Sequence, residues 1–337
     1  RSMLSPSIQP PTLLPRALAL LAALLVLLVI PVGSAQAAKL PKLVLAGPAG
    51  TVSYPLIHMV ESGALQEVAD QVELVFWRNP DQLRVLALEG RADFIAMPSN
   101  VAANLYNRGV ELNLLNVSVW GVLWLVSRDP ALQTLADFKS QEIAIPFRGD
   151  MPDIVFGLVA EGQGLDPQRD FTLRYVAGPP DAMQLLVAGV VNHALLSEPS
   201  ASMALRRVPG LSRSVDLQSE WGRVFETAPR LPQAGIAVLG EARKDAALVA
   251  RFQAAYAASL QWCQDHAAEC GELVARRIDL LTAEAVADSI AVSQLRFVEA
   301  AEAQPELEAF FARLLLREPA LVGGRWPDAG FYYPSAR

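Results

Sequence analysis

The chain has 337 residues, of which 52% are hydrophobic and 19% charged, and its 28 basic and 35 acidic side chains give a net charge of −7. That length and apolar content suit about two domains with a sizeable core and exclude a disordered chain, and a single long apolar run excludes a polytopic membrane protein. Arg1 and Arg16 are the only charged residues among the first 37, so the remainder holds 26 basic against 35 acidic residues, a net −9 that makes a poor surface for nucleic acid.

Arg16 precedes an apolar run of 16 residues, 17–32, and Ala35 and Ala37 then form a small-residue cleavage pattern. A basic start, a short apolar stretch and that pattern read as a cleaved signal peptide over 1–37 and an exported, periplasmic protein. No cysteine stands near the site, so a lipoprotein is not expected.

The body of the chain repeats itself at an offset of 99: Gly90-Arg91-Ala92-Asp93 falls on Gly189-Val190-Val191-Asn192, and Asn79-Pro80-Asp81 on Gly178-Pro179-Pro180. In the first copy 43–46 predicts a strand. Ser53 is placed to cap a helix whose Leu56, Ile57, Met59 and Val60 share a face, and Gly63 ends it. A strand over 72–77 follows, then a helix capped by Asn79, opened by Pro80 and closed by Gly90, then a strand over 94–97. The second copy runs through 143–145, a helix from Met151, 171–176, a helix from Pro179, and 194–196. Alternating strands and helices predict parallel sheets, so two α/β lobes are expected. Stretches 122–127 and 235–239 read as connector strands between them, and the chain after Gly240 reads as almost wholly helical, with an aromatic tail from Gly323 wrapped on the surface. The expected division is 38–122 plus 240–337 for the first lobe and 123–239 for the second.

Several stretches carry a family resemblance: Leu88-Glu89-Gly90-Arg91-Ala92-Asp93-Phe94, Leu135-Ala136-Asp137-Phe138-Lys139-Ser140, Gly164-Leu165-Asp166-Pro167 with Asp170, and Ser197-Glu198-Pro199. In this order, over about residues 40 to 270, they resemble the substrate-binding proteins of ABC importers, in the nitrate, sulfonate, taurine and thiamine-precursor group. The resemblance implies a type II periplasmic binding protein fold, with two connector strands between the lobes and a helical C-terminal segment. It further implies a hinge-closing receptor that binds a small-molecule ligand between its lobes and presents it to an ABC-type membrane permease with its ATPase. No cofactor, no metal, no catalytic residue and no nucleic-acid partner is expected, and the protein is expected to be a monomer. Asn192-His193 stands where the family usually has Asp-Ala, and Arg148-Gly149-Asp150 is more charged than the small-residue loop common there. These departures bear on the ligand rather than the fold.

The residues expected in the cleft follow the strands and open the helices, where free amides and hydroxyls meet polar ligand atoms. They are Thr51, Ser53 and Tyr54; Ser99 and Asn100; Trp120; Phe147, Arg148, Gly149 and Asp150; and Glu198. Arg148 favours an anionic end, while Asp150 and Glu198 suit an amine or a heterocyclic donor edge. A zwitterion, a sulfonate-like molecule or a nitrogen heterocycle is therefore expected. The alternative is an enzyme on the same fold acting on a small aromatic or heterocyclic metabolite. The chain carries no nucleophile elbow, phosphate-binding loop or paired-histidine zinc motif, and His58 with Glu61 does not make a metal site.

Cys263 and Cys270, the only cysteines, are expected to be bridged in an exporting compartment. Seven residues on one straight helix span about 10.5 Å, too far for a disulfide, so a helix break near residues 265–267 is expected with it.

Overall fold

The computed structural model describes Met3 and residues 38–335, and the chain from Lys39 onward forms one contact unit. The expected signal peptide lies outside the described residues.

The first sheet begins with β1 (Leu40–Gly47), β2 (Ala69–Phe76) and β3 (Phe94–Pro98), all parallel. Between them run α1 (Tyr54–Glu61) and α2 (Pro80–Leu88), and α3 (Ser99–Asn107) leads into β4 (Leu112–Gly121). Asn79 caps α2 by accepting from the Gln82 amide, and Pro80 opens it, as that pattern predicts. After Gly121 the chain crosses to a second sheet with β5 (Leu123–Ser127), followed by β6 (Glu142–Pro146), α4 (Met151–Gly162), β7 (Thr172–Val176), α5 (Pro179–Val187), β8 (His193–Ser197), α6 (Ser200–Arg207), β9 (Ser212–Asp216) and α7 (Leu217–Phe225). It then returns with β10 (Ala234–Leu239) and continues through α8 (Ala246–Asp265), α9 (Ala267–Arg277), α10 (Ala283–Val292), β11 (Gln294–Glu299) and α11 (Ala300–Arg317).

The strand orders are β2-β1-β3-β10-β4-β11 and β7-β6-β8-β5-β9. The two sheets share one plan. Helix Pro80–Leu88 recurs as Pro179–Val187, and strand Phe94–Pro98 as His193–Ser197, which keeps the offset of 99. In each sheet an antiparallel strand from across the crossing, β10 or β5, pairs beside the third parallel strand. The stretch 235–239, read from sequence as a connector leaving the second copy and counted with its lobe, pairs within the first sheet, with β3 and β4. The return crossing lies before it, between Phe225 and Ala234.

Side chains alternate across the first sheet, as strand geometry requires. Leu43, Leu45, Phe94 and Ala96 pack with α1 and α8, while Ala46, Ile95 and Met97 pack with α2, α3 and α11. This second cluster continues through α11 into α4 and α7, where Phe310 meets Trp221 edge-on at 5.6 Å. One apolar core therefore spans both sheets along α11. The tail lies along β4 and α3: Tyr332 bridges to Leu114, and the Asn113 amide donates to the Gly330 carbonyl. Among the described residues, no helix is long and apolar enough to cross a membrane.

Cys263 and Cys270 form a disulfide with Cα atoms 5.1 Å apart. The geometry is possible because α8 stops at Asp265, His266 leaves the helical region (φ −131, ψ 53), and α9 restarts at Ala267. Closing so short a loop is expected to be worth about 2–3 kcal/mol. Thiol titration of unfolded, unreduced protein should find no free thiol, and reduction should lower the urea midpoint by that amount. Two titratable thiols would contradict the bridge.

Candidate functional site

In open α/β sheets the crevice beyond the carboxyl ends of the parallel strands is where ligands bind. Here that crevice is walled on one side by residues after β1 and β3, and on the other by residues after β6 and β8.

The first wall is closely packed. Thr51–Ser53 forms a 3-10 turn before α1, and Thr51, Ser53 and Tyr54 are buried. A Cβ at Gly47 would lie 2.3 Å from Ser53 Oγ and 3.2 Å from the Ala96 Cβ, so only glycine lets Ser53 fold against these strand ends. Ser53 makes no side-chain cap to α1, and its Oγ is buried without a partner among the described residues. Tyr54 donates its hydroxyl to Ser289 Oγ at 2.8 Å, since that serine's own proton goes to the Val286 carbonyl, and burial pushes the phenol's pKa far up. Ser99 donates its hydroxyl to the Pro232 carbonyl at 2.6 Å and its amide to the Gln233 carbonyl at 3.1 Å. Asn100 and Gln233 are 3% and 5% exposed, and Asn100 Oδ1 and Gln233 Oε1 have no partner among the described residues. Ser53, Asn100 and Gln233 thus place three unsatisfied oxygens around the strand ends of the first sheet.

The second wall is charged. Phe147 sits in the left-handed region (φ 57), a conformation that a bulky residue holds only where its surroundings enforce it. Gly149 donates its amide to Asp153, and Asp150 accepts from Arg84 Nη2 of α2 at 2.9 Å, an ion pair that joins the two lobes. Burial raises the Asp150 pKa, and Arg84 opposes that rise. Glu198 follows β8, and its amide donates to the Val122 carbonyl at the first crossing. Its carboxylate is fully buried: Oε1 accepts from Arg213 Nε at 3.0 Å and Nη2 at 2.6 Å, and Oε2 from the Ser202 amide and hydroxyl. Where an amine or heterocyclic donor edge of a ligand was expected, Glu198 meets the chain's own Arg213, which also lies 5.5 Å from the Trp124 ring centre.

Two expected residues stand apart from this cluster. Arg148 is exposed, its guanidinium 4.9 Å from the Tyr175 ring centre. Trp120 is buried at the end of β4, donates Nε1 to the Arg296 carbonyl, and has Arg230 and Arg296 over its ring. The structure adds Gln233, Arg84 and Arg213, none of which lies directly after a predicted strand.

A cavity of about 260 Å³ touches the two walls at Asn100, Gly149 and Asp150, while Ser53, Gln233 and Glu198 do not line it. Arg84, Asn100 and Arg108 line it from the first lobe, Gly149 and Asp150 from the second, and Glu318 from the end of α11. Two guanidiniums and two carboxylates surround this polar space, and one of each, Arg84 and Asp150, pair with each other. A second cavity, about 300 Å³, lies on the outer helices beside His58, Glu61 and Trp262, away from the strand ends. His58 stacks on Trp262, Glu61 pairs with Arg277, and among the described residues no group of three or more His, Cys, Asp or Glu is placed to hold a metal. His193 is a buried core residue, bonded to Ser127 and Gln141 at the far end of β8 from the crevice.

No protein-family model and no curated protein matches the chain. Solved structures do. An ABC transporter protein from Parabacteroides distasonis aligns with a TM-score of 0.74 at 24% identity, covering 88% of this chain and 100% of that one. The periplasmic aliphatic sulphonate binding protein SsuA from Escherichia coli aligns at 0.64 and 17% identity, covering 88% and 95%. The periplasmic nitrate-binding protein NrtA from Synechocystis aligns at 0.64 and 14% identity, covering 83% and 82%. With two sheets of matching strand order, two crossings and a helical C-terminal segment, the chain has the two-lobe fold of the periplasmic binding proteins of ABC transporters.

Proposed function

We propose that the protein is an exported solute receptor that closes on a small organic ligand and delivers it to an ABC-type permease with its ATPase. The carrying observation is the set of buried, unpartnered oxygens on Ser53, Asn100 and Gln233 at the strand ends. A buried polar atom without a partner costs about 1–3 kcal/mol, and a ligand that hydrogen-bonds there recovers it. The charges at the cavity favour a zwitterion, such as an amino-sulfonate, or a nitrogen heterocycle with an accepting end, over a bare anion. The disulfide fits an oxidising compartment, in keeping with a periplasmic location. The lobes are read as 38–122 plus about 234–337 and about 123–233, a division supported by the pairing of β10 with β3 and β4. Neighbours in fold are transport proteins, which supports binding without chemistry.

Native mass spectrometry of the exported protein identifies any co-purified ligand. Calorimetry then ranks taurine, alkyl and aryl sulfonates, nitrate and pyrimidines. Asn100→Ala is expected to weaken binding of the ranked ligand about 2–10-fold, the worth of one neutral hydrogen bond. Arg148→Ala, over Tyr175, is expected to change it less than about twofold. Tight nitrate binding, or turnover of the ligand, would overturn the reading.

A further inference from the structure

We infer that α10 is a releasable latch that holds the second lobe shut and ties that closure to the cleft wall. The helix is rooted in the first lobe, where Val286 and Ile290 pack with Ile57 and Val274. Its next two contacts point to different places from adjacent residues. Ser289 takes the Tyr54 hydroxyl in the first wall, and Asp288 accepts a bidentate pair from Arg206 on α6 of the second lobe, at 2.5 and 3.0 Å. At its start, Thr282 donates to the Met203 sulfur, and Ala285 lies against Ala201, Met203 and Ala204.

The contrast with α11 decides which side gives way. That helix joins the lobes through a continuous apolar core, with Phe310 on Trp221, Arg313 over Phe225 and Arg317 paired to Glu161. Separating it would expose large apolar side chains. The α10–α6 contact is a close one between small side chains, Ala285 with Ala201 and Ala204, and its polar part is one ion pair whose side chains are 49% and 41% exposed. Such a pair contributes little and is screened by salt, which suits a contact that opens and closes. On this inference α11 stays packed while the lobes part at α10, where the side chains uncovered are smaller and the one ion pair is already half exposed.

The closure arm needs no ligand, whereas the link through Tyr54 rests on the receptor reading above. Because both native cysteines are bridged, Leu88→Cys and Val190→Cys, at exposed positions on the two lobes, can be spin-labelled in the full chain. Interlobe distances are measured by pulsed EPR after ligand has been removed by unfolding and refolding. Asp288→Asn and Arg206→Gln are each expected to raise the ratio of long to short distances about two- to fivefold, and the double variant no further. Salt near 1 M, where the screening length is about 3 Å, should produce the same shift in the native protein and little more in the variants. Tyr54→Phe should shift the distances in the same direction, and no shift there would remove the link to the cleft. Distributions that superimpose on the native one for both ion-pair variants, at low and high salt, would overturn the latch. A native distribution that no compound in the calorimetric series alters would count against the receptor reading and leave the latch standing.

Discussion

Arg213→Met is expected to destabilise the protein by about 3–5 kcal/mol, because it strands a buried carboxylate. The Glu198 side chain is fully buried, and Arg213 supplies two of the four hydrogen bonds it accepts. Arg213 itself is held by the Ser202 hydroxyl and by the face of Trp124. Removing the cation leaves two Ser202 donors against a full charge in a low-dielectric site. Arg213→Lys should recover only part of the loss, since a point charge cannot span Nε and Nη2 or stack on the indole. The double change Arg213→Met with Glu198→Gln should cost less than Arg213→Met alone, because no charge is then left unpaired. Urea unfolding at constant m reads all three. A loss below about 1 kcal/mol for Arg213→Met would mean that water reaches Glu198. The consequence for function is positional: the Glu198 amide bonds to Val122 at the crossing, so a loosened carboxylate loosens the second wall of the cleft.

How far the sequence reveals this molecule depends on whether local or distant contacts decide a feature. The internal repeat was legible because turn and cap residues set helix limits locally: the Asn79 cap and the Gly178-Pro179 opening gave α2 and α5 their starts. The helix break at His266 followed from covalent geometry once a disulfide was expected. Strands β9 and β11 escaped because they lie at sheet edges, where Ser-Arg-Ser-Val-Asp and Gln-Leu-Arg-Phe-Val-Glu carry too few apolar residues to signal a strand. Within the site, Ser53 and Asn100 were legible as residues that follow parallel strands. Gln233 was not, because its place depends on β10 pairing with β3 across 135 residues, Ala234 opposite Pro98. Arg148 was read toward the cleft on the strength of a helix opening. The parallel pairing of β6 with β7 sets Ile145 opposite Tyr175, which puts an aromatic face within reach of that guanidinium. Nothing local in the sequence announces such a neighbour.

Gly235→Ala is expected to cost at least about 3 kcal/mol and to weaken ligand binding as well. A Cβ at this position would lie 1.8 Å from the Asn116 carbonyl oxygen, 2.7 Å from its carbon and 2.9 Å from the Val117 Cα. All three are backbone atoms of β4, so no side chain can rotate away and the strands themselves must separate. The approach is this close because the β10–β4 ladder shifts register on both sides of the dipeptide, and the buried Asn116 side chain enters the gap to accept from the Ile236 amide. That side chain is in turn held by Gln253 of α8, so displacement would spread into the helical layer. Toward the cleft, the next residues along the chain are Ala234 and Gln233, whose carbonyl takes the Ser99 amide and whose own amide donates to Val119. Moving β10 outward therefore moves Gln233 and the start of α3 together, and with them two of the three unpartnered groups of the first wall. Urea unfolding should show the lost stability, and calorimetry on the protein that remains folded should show weaker binding than the native chain. A variant within about 1 kcal/mol of native stability would show that β4 and β10 can part without cost, and one that binds normally would show that Gln233 and Asn100 are not fixed by this strand.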